Sequence, residues 1–141
     1  MSIPGIILAS QSPRRAELLD RLGLSFQVRP ADIDESYLDH EMPADHAERL
    51  AREKVFAIAR GEPDSLVIGS DTIVIIDSDV LGKPRDTDDA VRMLLRLSGR
   101  EHEVITSVAV ALGDRMESGV ERVRVRFRTL TPRECEEYAA T

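Results

Sequence analysis

The run Ile6-Ile7-Leu8-Ala9-Ser10-Gln11-Ser12-Pro13-Arg14-Arg15 passes from an apolar segment into serines, a proline and two arginines, and Leu18, Leu19 and Leu22 follow at helical spacing. A strand, a tight loop and a helix are predicted in that order, with Ser12 as N-cap, Pro13 at the first helical position and Gly23 closing the helix. A helix that opens there presents unpaired backbone N–H groups and the positive end of its dipole. Ser10, Ser12, Arg14 and Arg15 therefore form a candidate cradle for a phosphate chain. The competing reading is a capped helix with two exposed arginines. The Gly-rich spacing and Gly-Lys-Ser/Thr ending of a P-loop are absent.

Downstream, Asp32 to Pro43 is polar and irregular, a predicted loop carrying the acidic pair Asp34 and Glu35. A second helix is predicted from about Ala44 to Arg60, where Ala47, Leu50, Ala51, Val55 and Ile58 make one stripe. Lys54 lies inside that stripe. Its ammonium must snorkel outward or meet an anion, because burying it unpaired costs on the order of several kcal/mol. Leu66 to Ile76 predicts a strand broken at Gly69-Ser70-Asp71-Thr72. Asp is a poor strand former, and its place between β-branched runs marks Asp71 as a candidate functional carboxylate. The alternative is a strand break in which Asp71 accepts from nearby backbone N–H groups. Asp77-Ser78-Asp79 turns the chain into Val80-Leu81, and Lys83 in Gly82-Lys83-Pro84 could reach a phosphate from a stiffened loop.

A third helix is predicted over Ala90 to Leu97, starting near Asp86 or Thr87 and closed by Gly99. Val104 to Leu112 predicts a buried strand turning at Gly113-Asp114. Val123, Val125 and Phe127 then alternate with Arg122, Arg124, Arg126 and Arg128, the period of a strand with one wet face. No aromatic lies among the outward arginines to stack on bases, so a solvated face is favoured over a nucleic-acid surface. Glu101 and Glu103 are placed to pair with neighbouring arginines, while His40, His46 and His102 are scattered and take no role. Thr131-Pro132-Arg133-Glu134 predicts a capping box that opens a last helix. That helix carries few apolar residues and no stop signal, so a truncated chain is expected.

The 141 residues are expected to form a single domain, 1–141, and 19 basic against 26 acidic residues give a charge of −7. Such a balance argues against broad nucleic-acid binding, and an anionic ligand would need a local basic pocket or a metal. The longest uncharged apolar runs are far shorter than the roughly 20 residues of a membrane span, so no membrane partner is expected. The N-terminus lacks the features of a secretory signal, which predicts a cytoplasmic protein. Cys135, the one cysteine, cannot form an intrachain disulfide, and no His or Cys cluster has zinc spacing.

Taken together, Leu8-Ala9-Ser10-Gln11-Ser12-Pro13-Arg14-Arg15, Arg52-Glu53-Lys54, Gly69-Ser70-Asp71-Thr72, Gly82-Lys83-Pro84 and Leu97-Ser98-Gly99-Arg100-Glu101-His102-Glu103-Val104 resemble, in order and spacing, the Maf family of nucleoside triphosphate pyrophosphatases. The resemblance implies an α/β fold of Maf/ITPase-like type, with a mixed twisted sheet, flanking helices and two lobes around a nucleotide cleft. It implies a cytoplasmic, metal-dependent enzyme that hydrolyses a nucleoside triphosphate to the monophosphate and pyrophosphate. Asp71 matches the family's proton acceptor, and Ser10, Arg14, Lys54 and Lys83 match positions lining the triphosphate site, with Ser12 in the same loop. Glu35 matches a loop carboxylate. Arg15 and Thr72 resemble the branch that prefers dTTP and UTP, with modified pyrimidine analogues as further substrates, over methylated guanine nucleotides. On this reading Asp71 with Glu35 holds Mg²⁺ or Mn²⁺.

The substrate is the only partner expected, and a homodimer is left open. The rival class is a non-catalytic nucleotide-binding regulator of cell division and septum formation. The resemblance also implies a longer chain, continuing past the helix near Thr131 into a segment with an Asp-Lys-Ala-Gly motif and a base-selecting glutamine.

Overall fold

The computed structural model describes residues 4–141. The opening apolar run forms β1 (Ile6–Leu8), and α1 (Pro13–Arg21) starts on its proline with the Ser12 hydroxyl accepting from the Arg15 N–H at 3.4 Å. There follow β2 (Gln27–Val28), α2 (Pro43–Ala59), β3 (Leu66–Ile76), β4 (Asp79–Leu81), α3 (Thr87–Leu97), β5 (Glu101–Leu112), β6 (Arg115–Arg126) and α4 (Pro132–Ala139). The strands make one sheet in the order β2-β1-β3-β5-β6, with β4 pairing β3. β1 is parallel to both neighbours, with Leu8 opposite Ile68 of β3 and Val28 of β2, whereas β4 is antiparallel to β3. The sheet is therefore mixed, as expected. No helix among the described residues is long and apolar enough to cross a membrane.

The chain divides into two compact units. The first takes residues up to Thr72 together with Thr106–Glu121. Its core is the face of α2 carrying Ala51, Val55 and Ala59, packed with Ile7 and Ala9 at β1, Val67 on β3, and Ala109 and Ala111 on β5. Burying each of the larger of these side chains is worth about 1.5–3 kcal/mol. The alanines let backbone approach backbone, and Ser107, wholly buried on β5, donates to the Ala47 carbonyl of α2 at 2.6 Å.

The second unit takes Ile73–Ile105 and Arg122–Thr141. Asp77 and Ser78 make its hairpin turn with φ of 52° and 68°, the left-handed pair that matches strand twist in a two-residue loop. Asp86 caps α3, accepting from the Asp89 N–H at 2.8 Å, and α3 packs on α4. Arg122 pairs with Glu103 at 3.2 Å and Arg124 with Glu101 at 3.9 Å, so the expected ion pairs form on the arginine row.

Four features differ from the sequence expectation. β3 is not broken at Gly69-Ser70-Asp71-Thr72 but runs unbroken over 11 residues, as an interior strand with β1 and β5 for neighbours. β5 begins at Glu101 rather than Val104. β6 has no fully buried residue: it ends the strand order and Val123 is 47% exposed, although Met116 packs against the core and Val125 is half-buried between exposed arginines. β2 was not expected, being two exposed residues ordered by pairing to β1. The Thr131–Glu134 capping box forms as expected, and Cys135 in the following turn is buried.

Candidate active site

α2 brings Lys54 toward β3 because Gly69 leaves room for it. A Cβ on Gly69 would stand 2.6 Å from Val55 Cγ2 and 3.3 Å from the Ala51 carbonyl oxygen, so only glycine permits this approach of helix to strand. Lys54 Nζ then lies 3.1 Å from Asp71 Oδ1, 3.4 Å from Glu35 Oε1 and 3.4 Å from the Ser70 carbonyl. The cation inside the apolar stripe has met two anions rather than snorkelling to water. Asp71 does not make the backbone bonds of the competing reading: Oδ1 takes Lys54, and Oδ2 is buried without a hydrogen-bond partner.

Beside this trio stands the start of α1. Arg15 turns back so that Nη1 donates to Ser10 Oγ at 3.4 Å and Nη2 to Thr72 Oγ1 at 3.2 Å. Ser10 Oγ also accepts from the Ser12 N–H at 3.0 Å, and Thr72 Oγ1 lies 3.4 Å from Thr106 Oγ1. Burial pushes the Arg15 guanidinium below its ordinary value, opposed by the charges of Asp71 and Glu35. Its intrinsic basicity keeps it charged. Seven of the expected residues, Ser10, Ser12, Arg15, Glu35, Lys54, Asp71 and Thr72, are thus linked through α1, the 32–42 loop, α2 and β3. Arg14 lies exposed in the first turn of α1. Lys83 lies exposed beyond β4 in the second unit.

The loop bearing Glu35 is fastened by groups that the sequence did not single out. Glu41 is 8% exposed and accepts from Arg49 Nε at 2.7 Å and Nη2 at 2.9 Å, while its Oε1 lies 2.8 Å from His46 Nδ1. Tyr37 stacks on His46 with ring centroids 3.5 Å apart. Burial, then the charges of Asp71 and Glu41, raise the Tyr37 phenol above its usual range, which places it in the field of the site. His46 and Arg49 lie one turn apart on α2, a spacing indistinguishable in sequence from an ordinary polar helix face.

This network has a titration signature. Hydrogen bonds from Arg49, with help from His46 and the Leu38 N–H, hold the Glu41 carboxyl down at about 2 against the opposing effect of burial, from an ordinary 4.5. Because the folded value is the depressed one, the stabilisation is complete above about pH 4.5 and is lost as pH falls toward 2. Glu41→Gln should therefore melt below the parent protein at pH 7, and the gap should close between pH 4.5 and 2. Melting curves separated equally at every pH would exclude this account.

The site's donors suit a hard divalent cation. A buried, unpartnered carboxylate oxygen is costly, and Asp71 Oδ2 is one. No three His, Cys, Asp or Glu side chains gather as a cation site among the described residues. Asp71 and Glu35 form a sparse pair, of the kind that binds Mg²⁺ when substrate phosphates and water complete the coordination.

The fold recurs in solved structures of Ham1 proteins. That from Coxiella burnetii aligns with a TM-score of 0.52 at 17% identity, over 85% of this chain and 72% of its own. That from Staphylococcus aureus aligns with a TM-score of 0.54 at 14% identity, over 86% and 69%. At these identities the likeness is one of fold. Sequence relatives are much nearer: the dTTP/UTP pyrophosphatase of Moorella thermoacetica is 51% identical over 138 residues, 96% of this chain and 71% of the relative. That of Syntrophomonas wolfei is 48% identical over 136 residues, 95% and 72%. Residues 5–141 match the family described as Maf-like protein, and the chain belongs to that family.

Proposed function

We propose that the chain hydrolyses nucleoside triphosphates, dTTP and UTP together with modified pyrimidine analogues, to the monophosphate and pyrophosphate. The observation that carries this reading is the meeting of Asp71, Lys54 and Glu35 beside the Arg15–Ser10 end of α1 in a chain so similar to dTTP/UTP pyrophosphatases. It acts as one catalytic domain in the cytoplasm, without a nucleic-acid or membrane partner. Arg15, Arg14 and Lys54, with the positive end of the α1 dipole, bind the phosphates, offsetting at short range the repulsion of a protein of charge −7.

Asp71 Oδ2 accepts the proton of a water that attacks the α-phosphorus. The bond from that phosphorus to the bridging oxygen breaks, and the electron pair leaves with pyrophosphate. Lys54, bonded to Asp71 Oδ1, orients the carboxylate so that Oδ2 is left for this step and, with Arg15, faces the charge that develops on the leaving group. Asp71 and Glu35 would hold Mg²⁺ or Mn²⁺, which supplies neutralisation of phosphate charge when bound.

A panel of triphosphates with Mg²⁺ tests the proposal, with pyrophosphate converted to phosphate and measured. Release from dTTP and UTP well above that from purine triphosphates is expected, and Arg15→Ala should blur this preference more than it slows turnover. A nucleotide-induced melting shift without release would instead make the chain a binder without turnover. Unchanged selectivity in Arg15→Ala would remove Arg15 from base discrimination.

A further inference from the structure

We propose that Glu41 and Arg49 are positioning residues that hold Glu35 in the site, so that losing either one costs the site an oxygen donor toward a divalent cation. The inference rests on the triphosphate reading for its purpose, and on its own geometry for its content.

Glu35 sits in a segment with no helix or strand of its own, and its side chain is 42% exposed. Such a loop carboxylate takes its position from its neighbours. Arg49 Nη2 donates to the Ser36 carbonyl at 2.9 Å, and the Leu38 N–H donates to Glu41 Oε1 at 3.2 Å. On the other side of Glu35, Asp34 Oδ1 accepts from the Ser36 N–H at 2.9 Å and from its hydroxyl at 2.6 Å. Both anchors lead to α2, the helix that also carries Lys54. Arg49 is itself fixed in a fork, with Nε and Nη2 on Glu41 and Nη1 on Glu53 at 2.5 Å. A rigid bidentate pair of this kind transmits direction as well as charge. A solvated loop needs no such fixture, and withdrawing Glu41 from water is costly unless its geometry is used.

The test is a double-mutant cycle read first without catalysis. Mn²⁺ is titrated into the full chain in the presence of α,β-methylene-UTP, and free Mn²⁺ is measured by electron paramagnetic resonance. Glu41→Gln and Arg49→Lys, which keep side-chain size, should each weaken Mn²⁺ uptake by about 10- to 100-fold, as for other groups that orient a metal's ligand. Glu35→Gln should do the same, and Glu35→Gln/Glu41→Gln should bind no more weakly than Glu35→Gln alone. Arg52→Gln, one turn away and bonded to Ser118, should bind as the parent does. Amide exchange at Ser36 and Leu38 should quicken in Glu41→Gln and stay slow in Glu35→Gln. Additive losses in the double variant overturn the proposal. So does full Mn²⁺ uptake by Glu41→Gln, an inert Glu35→Gln, or a parent protein that takes up no Mn²⁺. If the cycle is non-additive yet no triphosphate is hydrolysed, the clamp stands and the hydrolase reading falls.

Discussion

Asp71→Asn should lower pyrophosphate release from dTTP and UTP by about 10²–10⁴-fold, the range a positioned general base supplies, with the fold intact. The substitution keeps shape while removing basicity at a buried mid-strand position. Lys54 retains Glu35 and the Ser70 carbonyl, so its ammonium is not stranded. The neutral amide also costs less to bury than the carboxylate it replaces, which offsets part of the lost ion pair. A large loss of turnover with little change in melting is the expected combination. Release within tenfold of the parent protein would remove Asp71 from the role of proton acceptor, whereas a collapsed melting temperature would make it structural.

Gly69→Ala should have the largest effect on stability, for a reason that lies outside the reacting groups. The new methyl would enter a gap already closed by Val55 Cγ2 at 2.6 Å and the Ala51 carbonyl at 3.3 Å. Overpacking of this kind costs about 1–3 kcal/mol, a loss of several degrees in melting for a domain of this size. The helix must move to relieve it, and Lys54, next to Val55, moves with it, so turnover should fall as well. Val55→Ala removes the offending methyls. The pair Gly69→Ala/Val55→Ala should recover much of both losses even though Val55→Ala alone destabilises. A Gly69→Ala protein that melts and turns over like the parent would show that the close approach does not set the lysine.

What the sequence made legible was what depends on near neighbours or on a residue at odds with its surroundings. Ser12-Pro13 announces a helix start because cap and proline act within one turn. Lys54 in an apolar stripe and Asp71 between β-branched runs stand out because burial makes an unpaired charge expensive, and they prove to be each other's partners. The continuity of β3 was not legible, because its interior place in the sheet, between β1 and β5, depends on strands remote in sequence that no window along the chain records. The exposure of β6 escaped for a related cause: alternation tells which residues share a face, not whether anything covers it. The Glu41–Arg49–His46 fixture was hidden because each member, taken singly, reads in the sequence as an ordinary polar residue, and the burial of His46 and of the Glu41 side chain follows only from the fold.

The parallel pairing of β1 with β3 also bears on how the chain matures. Arg15 meets Thr72 across 57 positions of sequence, and Ser107 meets Ala47 across 60. Contacts so remote must wait for long loops to close, so the site exists only in chains whose central strands have already docked. A triphosphate that recognises this site therefore binds finished molecules and leaves immature ones alone, drawing the population toward the native state.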